Sequence, residues 1–286
     1  MSTRVGVVGC GLMGGGIAEV CARASLDVTV VESNEAAARA GAERIEHSLG
    51  RAHSRGKIAD PDAVLKRIQV TTDLDAVGDR DIVIEAIVED EDLKASLFRE
   101  LDRIVTSSDA LLATNTSSIP IMKLGVVTAR PESVIGIHFF NPVPVLPLIE
   151  IVPSLLTSSE THMAARTFVQ DQLGKSAIDC QDRAGFVVNA LLIPFVLSAI
   201  RMLESGFASA DDIDHGLVLG AAHPQGPLAL ADLIGLDTVK AVAESLYEEF
   251  KEPLYAPPPL LNRMVDAGLL GRKTGRGFHT YTQAVR

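Results

Sequence analysis

The chain has 286 residues, 47% of them hydrophobic and 22% charged, a composition that fits a folded globular protein and excludes a disordered one. Its net charge of −11 comes without a basic tail or stripe, which argues against nucleic acid as a partner because phosphate backbones need a clustered cationic surface. The cysteines Cys10, Cys21 and Cys180 are odd in number and far apart, which speaks for a reducing, cytoplasmic setting rather than a disulfide framework.

The N-terminal MSTRVGVVG enters an apolar run at once, without the basic region and cleavage site of a signal peptide. Short β-branched runs at 5–8, 28–32, 82–85, 111–114 and 134–138 predict buried strands. Between them, 12–24, 36–55 and 91–104 carry apolar residues at helical spacing. Strands alternating with helices predict a parallel sheet covered on both faces. From residue 185 the strand signal stops. The stretch 184–200, AGFVVNALLIPFVLSAI, is apolar on every side but contains Asn189 and Pro194. It falls short of the ~20 residues that span a bilayer, so it reads as a core or interface helix rather than a membrane segment. Further helices are predicted at 208–220, 230–249 and 259–267, with Asp211 and Asp212 suiting the N-terminus of the first. There is no internal repeat, and Pro257-Pro258-Pro259 reads as a rigid turn.

Between the first strand and the first helix lies Gly9-Cys10-Gly11-Leu12-Met13-Gly14. Gly9 suits a tight turn, Gly11 lets the backbone approach a pyrophosphate, and Gly14 lets helix pack closely on strand. The helix start then offers N–H groups and the positive end of its dipole to the phosphates. Glu32 ends the second strand, where a carboxylate accepts from a ribose 2′-OH and repels a 2′-phosphate; this favours NAD over NADP. The fold class is therefore α/β, a Rossmann-type dinucleotide-binding domain over 1–184, followed by a smaller all-α domain over 185–286.

His138-Phe139-Phe140-Asn141-Pro142 closes another predicted strand, at the end where open α/β sheets bind ligands. A lone histidine there reads first as a core side chain bonded to backbone. Glu150, beyond the stiff Val143-Pro144-Val145-Leu146-Pro147, could return beside His138 as an orienting carboxylate; the residues alone leave that pairing open.

Seven blocks in order, GCGLMGGGIA, IEAIVEDEDLK, TNTSS, GIHFFNPVPVLPLIE, DRAGFVVNALL, HPQGPLALADLIGLDT and GRKTGRGF, cover nearly the whole chain. They resemble the signature blocks of the short-chain L-3-hydroxyacyl-CoA dehydrogenase family, which includes 3-hydroxybutyryl-CoA dehydrogenases. The resemblance implies a catalytic His138 paired with Glu150, and substrate hydrogen bonds from Ser117 and Asn189. It carries NAD contacts to Gly9, Gly11, Leu12, Met13, Gly14, Glu32, Glu89, Lys94, Ser117, Asn141 and Lys273, and coenzyme A contacts to Ser48, Ser117 and Arg55. Two positions depart from the family pattern: Glu32 stands where Asp is usual, and Cys10 stands at a small-residue position, as inert packing.

The implied reaction is reversible oxidation of an (S)-3-hydroxyacyl-CoA, with a short chain such as 3-hydroxybutyryl-CoA, to the 3-oxoacyl-CoA. Histidine suits it because it can take the hydroxyl proton and return it near neutral pH. Glu150 would hold the imidazole tautomer, while Ser117 and Asn189 would polarise the substrate oxygen. Arg44, Arg51, Arg55 and Lys57, with His47 and His53, concentrate positive charge in an acidic protein, as a solvated helix face or as a seat for the phosphates of coenzyme A. No HExxH or CxxC occurs, so no metal site is expected, and TNTSS lacks the G-x-S-x-G elbow of a hydrolase nucleophile. The alternatives are the same chemistry on an acyl-carrier-protein thioester or a sugar acid, or a non-catalytic NAD-binding protein of this fold. A domain of about a hundred residues covers only part of so apolar a helix, which predicts a homodimer through the C-terminal helical domain.

Overall fold

The computed structural model describes residues 3–281. The chain divides into two compact units, the first ending at Asp182 and the second beginning at Arg183.

The first unit is built on eight strands: β1 (Arg4–Val8), β2 (Asp27–Val31), β3 (Ile68–Thr71), β4 (Ile82–Glu85), β5 (Leu111–Thr114), β6 (Val134–Phe139), β7 (Leu148–Pro153) and β8 (Ser176–Asp179). They form one sheet in the order β3-β2-β1-β4-β5-β6-β7-β8, with every pairing parallel except β6 with β7. The central strands are buried on both faces, as parallel strands between helices must be, and so carry adjacent buried pairs such as Val7 with Val8, Val30 with Val31, Val83 with Ile84 and Val134 with Ile135. Each such side chain contributes about 1.5–3 kcal/mol by leaving water. The strand order reverses between β1 and β4, and the crevice at that point is where this architecture takes its ligands.

Helices α1 (Leu12–Arg23), α2 (Glu35–Ser54), α3 (Pro61–Leu65), α4 (Glu91–Ile104), α5 (Ile121–Gly125) and α6 (Ser159–Thr167) complete this unit. The side chain of Asn34 accepts from the Ala37 N–H at 2.9 Å and that of Asp90 from the Leu93 N–H at 2.9 Å, fixing the starts of α2 and α4. Asp182 accepts from the Ile121 and Met122 N–H groups, both at 2.8 Å, and caps α5 in the same way.

Five strands lie where the sequence predicts them, and three others, β3, β7 and β8, are additional. β3 and β8 are short sheet edges with partly exposed residues, so they lack the continuous apolar signal of the centre. β7 is apolar but follows the proline-rich 142–147, which masks its start.

The second unit is helical: α7 (Val188–Glu204), α8 (Ala210–Ala221), α9 (Pro227–Ile234), α10 (Leu236–Phe250) and α11 (Pro259–Asp266). The single helix predicted over 230–249 is two, because Gly235 adopts φ 103, a left-handed conformation that breaks the run. Within α7, Ile193, Val196, Leu197 and Ile200 line the core at helical spacing, whereas Leu191 is 73% exposed, so the helix is not buried on all sides within this unit. Two buried aspartates gather the C-terminal segment. Asp214 accepts from the Leu228 and Ala229 N–H groups and bonds His279 Nε2, and Asp232 accepts from the Phe278 and His279 N–H groups and the Tyr281 hydroxyl. Among the described residues no helix is long and apolar enough to cross a membrane.

Candidate active site

The glycine loop leaves β1 and enters α1. Gly9 has φ 98, and a Cβ there would come within 2.6 Å of the Ala86 carbonyl oxygen. At Gly14 a Cβ would lie 1.9 Å from the Gly9 oxygen, so helix and turn are in backbone contact. A Cβ at Gly11 would meet nothing within 4 Å, which leaves open space above the loop. Gly11, at the N-cap of α1, has no side chain to cap the helix; Leu12, its first residue, is 61% exposed, while Met13 packs against the core. Glu32 follows β2 and reaches across: Oε1 accepts from the Cys10 N–H at 2.7 Å and Oε2 from the Ser33 N–H at 3.0 Å. Uncapped helix N–H groups, open space over a glycine and a carboxylate at the end of the second strand together fit a dinucleotide with a free ribose hydroxyl. Cys10 is a packing residue. Its sulfur lies against α2 so closely that a Cβ on Gly41 would come within 2.5 Å, and burial, with the Glu32 charge, pushes its thiol up to about 11.

At the ends of β4 and β5 is a second polar group. Lys94, in the first turn of α4, is buried; its ammonium lies 2.5 Å from Glu85 Oε1 and 3.2 Å from Glu89 Oε2. Glu89 Oε1 in turn accepts from the Thr116 hydroxyl at 2.6 Å, the Ser117 N–H at 3.0 Å, the Ser118 N–H at 3.2 Å and the Ser118 hydroxyl at 2.8 Å. Desolvation raises the Glu89 carboxyl, but the Lys94 charge and the hydrogen bonds from Thr116, Ser118 and Ser117 outweigh it and hold the group below its ordinary range. Ser117 is held by its backbone, so its hydroxyl is not committed to this contact.

The third group sits on the antiparallel pair. His138 and Glu150 are direct cross-strand partners on β6 and β7, and His138 Nδ1 lies 2.7 Å from Glu150 Oε2. Both side chains are buried, at 7% and 0% exposure. With an ionised glutamate the Nδ1–H donates to it, which sets the tautomer and puts the ring lone pair on Nε2. The Phe140 ring meets the imidazole edge-on at 4.6 Å between centroids, and Asn115 Oδ1 accepts from the Phe139 N–H at 2.9 Å, extending the β5–β6 contact to the C-terminal end of the strand. A base held by a buried carboxylate, at the same end of the parallel strands as a dinucleotide cradle, is equipped to move a proton while hydride moves elsewhere.

The 3-hydroxyacyl-CoA dehydrogenase NAD-binding domain family model matches residues 4–183, and the C-terminal domain model of the same enzymes matches residues 185–281. The chain belongs to the 3-hydroxyacyl-CoA dehydrogenase family. It is 57% identical over 280 residues to a 3-hydroxybutyryl-CoA dehydrogenase of Mycobacterium tuberculosis, covering 97% of this chain and 98% of that one. The crystal structure of M. tuberculosis FadB2 superposes with a TM-score of 0.97 at 56% identity, covering 98% of this chain and 99% of the other. That of (S)-3-hydroxybutyryl-CoA dehydrogenase from Ralstonia eutropha gives 0.93 at 46% identity, with 99% and 100% covered. This family member is an NAD-dependent dehydrogenase.

The remaining expected residues are dispersed. Asn141 follows β6 in an exposed turn, joined to Pro142 by a cis peptide bond. Ser48 lies half-buried on α2, and Arg55 caps the exposed C-terminus of α2. In the second unit, Asn189 is the second residue of α7 and half-buried, and Lys273 Nζ lies 2.6 Å from both oxygens of Asp237. Glu85, Asn115, Thr116 and Phe140 were not singled out from sequence. Glu85 stands inside the IEAIVEDEDLK block, and a carboxylate at the end of an otherwise apolar strand was the signal available.

Proposed function

We propose that the chain catalyses the reversible oxidation of short-chain (S)-3-hydroxyacyl-CoA, 3-hydroxybutyryl-CoA foremost, to 3-oxoacyl-CoA. The observation that carries this reading is the buried His138–Glu150 pair, 2.7 Å apart and at the C-terminal end of β6, the same end of the parallel strands from which the glycine loop leaves β1. His138 Nε2 takes the C3 hydroxyl proton in oxidation and returns it in reduction. Glu150 keeps the ring oriented and stabilises the imidazolium that forms. Ser117 and Asn189 hold the C3 oxygen as it changes from hydroxyl to carbonyl. NAD, when bound, accepts the hydride from C3. Gly9, Gly11, Leu12, Met13, Gly14 and Glu32 hold its pyrophosphate and adenosine ribose, with Glu89, Lys94, Asn141 and Lys273 completing the cofactor site. Ser48 and Arg55 take the coenzyme A phosphates, favoured by the local positive charge of α2. The relatives' names support the four-carbon substrate, and the three free cysteines fit a cytoplasmic enzyme.

The decisive experiment is NADH consumption with 3-oxoacyl-CoA substrates of increasing chain length. The expected result is the highest kcat/KM with acetoacetyl-CoA. Turnover of a sugar acid or a carrier-protein thioester, with none of any CoA ester, would overturn the reading. Cofactor choice is tested at Glu32. The wild type should prefer NADH, and Glu32→Ser should narrow the ratio of kcat/KM for NADH over NADPH by about tenfold, equivalent to about 1.4 kcal/mol. A wild type that prefers NADPH would remove this role for Glu32.

The homodimer is part of the same proposal. Leu191, Phe207 and Leu219 of the second unit are 73%, 80% and 82% exposed, apolar positions that a second copy of the chain would cover. Sedimentation at micromolar concentration should give about twice the chain mass of 30.4 kDa, and Leu191→Glu should lower it towards the monomer. A wild-type species at the chain mass alone would exclude the dimer.

A further inference from the structure

Resting on the dehydrogenase reading, we propose that Glu85 is a positioning residue for the reaction: acting through Lys94 and Glu89, it fixes the backbone that presents Ser117 to the substrate.

Glu85 ends β4 with no solvent exposure, between Val8 of β1 and Thr114 of β5 in the register. A carboxylate in such a place persists only where other groups replace its water. Three do so: the Lys94 ammonium at 2.5 Å, the Ile87 N–H at 2.7 Å and the Thr114 hydroxyl at 2.6 Å. They come from α4, from the turn after β4 and from the end of β5, so one carboxylate joins three segments that meet at the same end of the sheet. The Thr114 oxygen also accepts from the Thr116 N–H at 3.1 Å, which carries the link into the serine loop.

Lys94 is the shared member. One carboxylate is enough to neutralise a buried ammonium, yet Lys94 faces two, and the distances rank them: 2.5 Å to Glu85 and 3.2 Å to Glu89. Glu89 needs the ammonium less than the fully buried Glu85 does, being 38% exposed on its side chain. Its carboxylate serves the loop instead, where Oε1 receives the Ser117 and Ser118 N–H groups and two hydroxyls. Glu85 therefore keeps the ammonium from collapsing onto Glu89. Without it, Lys94 would take Glu89 as its only carboxylate and draw it away from the serine backbone. The Glu85 bond to the Ile87 N–H also steadies the turn that carries the Ala86 carbonyl, against which Gly9 is packed. The same side chain thus underlies the serine loop and braces the glycine loop.

A purely structural ion pair would behave differently, and two variants of the full-length protein separate the cases. Glu85→Gln should lower kcat for acetoacetyl-CoA reduction roughly 10- to 100-fold, the scale of a misplacement approaching 1 Å, with KM for acetoacetyl-CoA little changed. Glu85→Gln combined with Lys94→Met removes both buried charges, so the melting temperature should return towards wild type. Hydrogen exchange in a peptide covering 115–119 should be faster than wild type in Glu85→Gln and return towards it in the double variant, which has no ammonium to draw Glu89 away. The acid limb of kcat/KM should also move to higher pH. With the ammonium gone the Glu89 carboxyl is no longer held down, so it takes up a proton, and stops accepting from the loop, at a higher pH than before. Wild-type kcat in Glu85→Gln, or unchanged exchange at 115–119 in that variant, would overturn the proposal. A wild type inactive on every 3-oxoacyl-CoA would instead reject the substrate reading, and the exchange measurement would still decide the role of Glu85.

Discussion

Replacing His138 with glutamine is expected to lower kcat by about 10²- to 10⁴-fold, the worth of a positioned acid–base group. Glutamine is close to histidine in size, and its amide can still donate to Glu150, so the buried carboxylate keeps a partner and the fold should stand. NADH should bind with wild-type affinity, because the glycine loop leaves β1, separated from β6 by β4 and β5. Stopped-flow reduction of acetoacetyl-CoA and fluorescence titration of NADH measure the two quantities separately. Glu150→Gln should cause a smaller fall, since the proton-accepting nitrogen remains. The two substitutions together should be little worse than His138→Gln alone, as expected of groups that act as one unit. Turnover of His138→Gln within tenfold of wild type would take His138 out of the chemistry.

The second large effect concerns two glycines three residues apart. Gly11 has φ −66 and ψ −161, a conformation open to alanine, and a Cβ there meets nothing in the protein. Gly11→Ala should therefore leave the melting temperature of the free protein unchanged or slightly raised, by about 0.4–1 kcal/mol through the unfolded chain. The same methyl group projects into the space left for the pyrophosphate, so NADH affinity should fall roughly tenfold or more, about 1.4 kcal/mol per decade. Gly14→Ala should do the reverse in order of cause. Its Cβ would overlap the Gly9 carbonyl, a backbone atom that cannot swing aside, so the strand–helix contact must open. A stability loss at the upper end of the ~1–3 kcal/mol typical of overpacking is expected, with cofactor binding lost as a consequence. Thermal melts with and without NADH distinguish the two. A Gly11→Ala protein with wild-type affinity would mean that the phosphates do not approach there.

The parts of the fold visible in the sequence were those whose burial is two-sided. Val7 and Val8 on β1, and Val30 and Val31 on β2, point to opposite faces and are all buried, so their strands stand out as apolar runs. Ser176–Asp179 and Ile68–Thr71 sit at the sheet edges, where half-exposed positions carry polar residues and erase that signal. The glycine loop and Glu32 could be placed because turn geometry and strand ends are local properties. The His138–Glu150 contact was open at the level of residues, since it depends on β7 being a strand and on its register with β6, both set by pairing across the sheet. Glu85 was hidden for the opposite reason. Its strand is legible, but its value lies in partners nine and twenty-nine residues away that only the tertiary structure assembles. Gly235 shows the limit for helices: the apolar spacing of 230–249 continues through the break, and only the backbone angle reveals it.

The antiparallel register of β6 and β7 has a consequence for how such an enzyme can be altered. Side chains alternate along a strand, so a slip of one residue would send Glu150 to the opposite face of the sheet from His138. The ladder from Ile135 opposite Pro153 to Phe139 opposite Ile149 resists that slip through apolar residues that are themselves buried. The connecting residues 140–147 are not what aligns the pair. The exposed Val145 and Leu146 of that connection, clear of Phe140 beside the imidazole and of Asn141, are therefore the natural place to lengthen, shorten or recharge it when retuning which thioesters are accepted, because the strands index His138 against Glu150 whatever joins them.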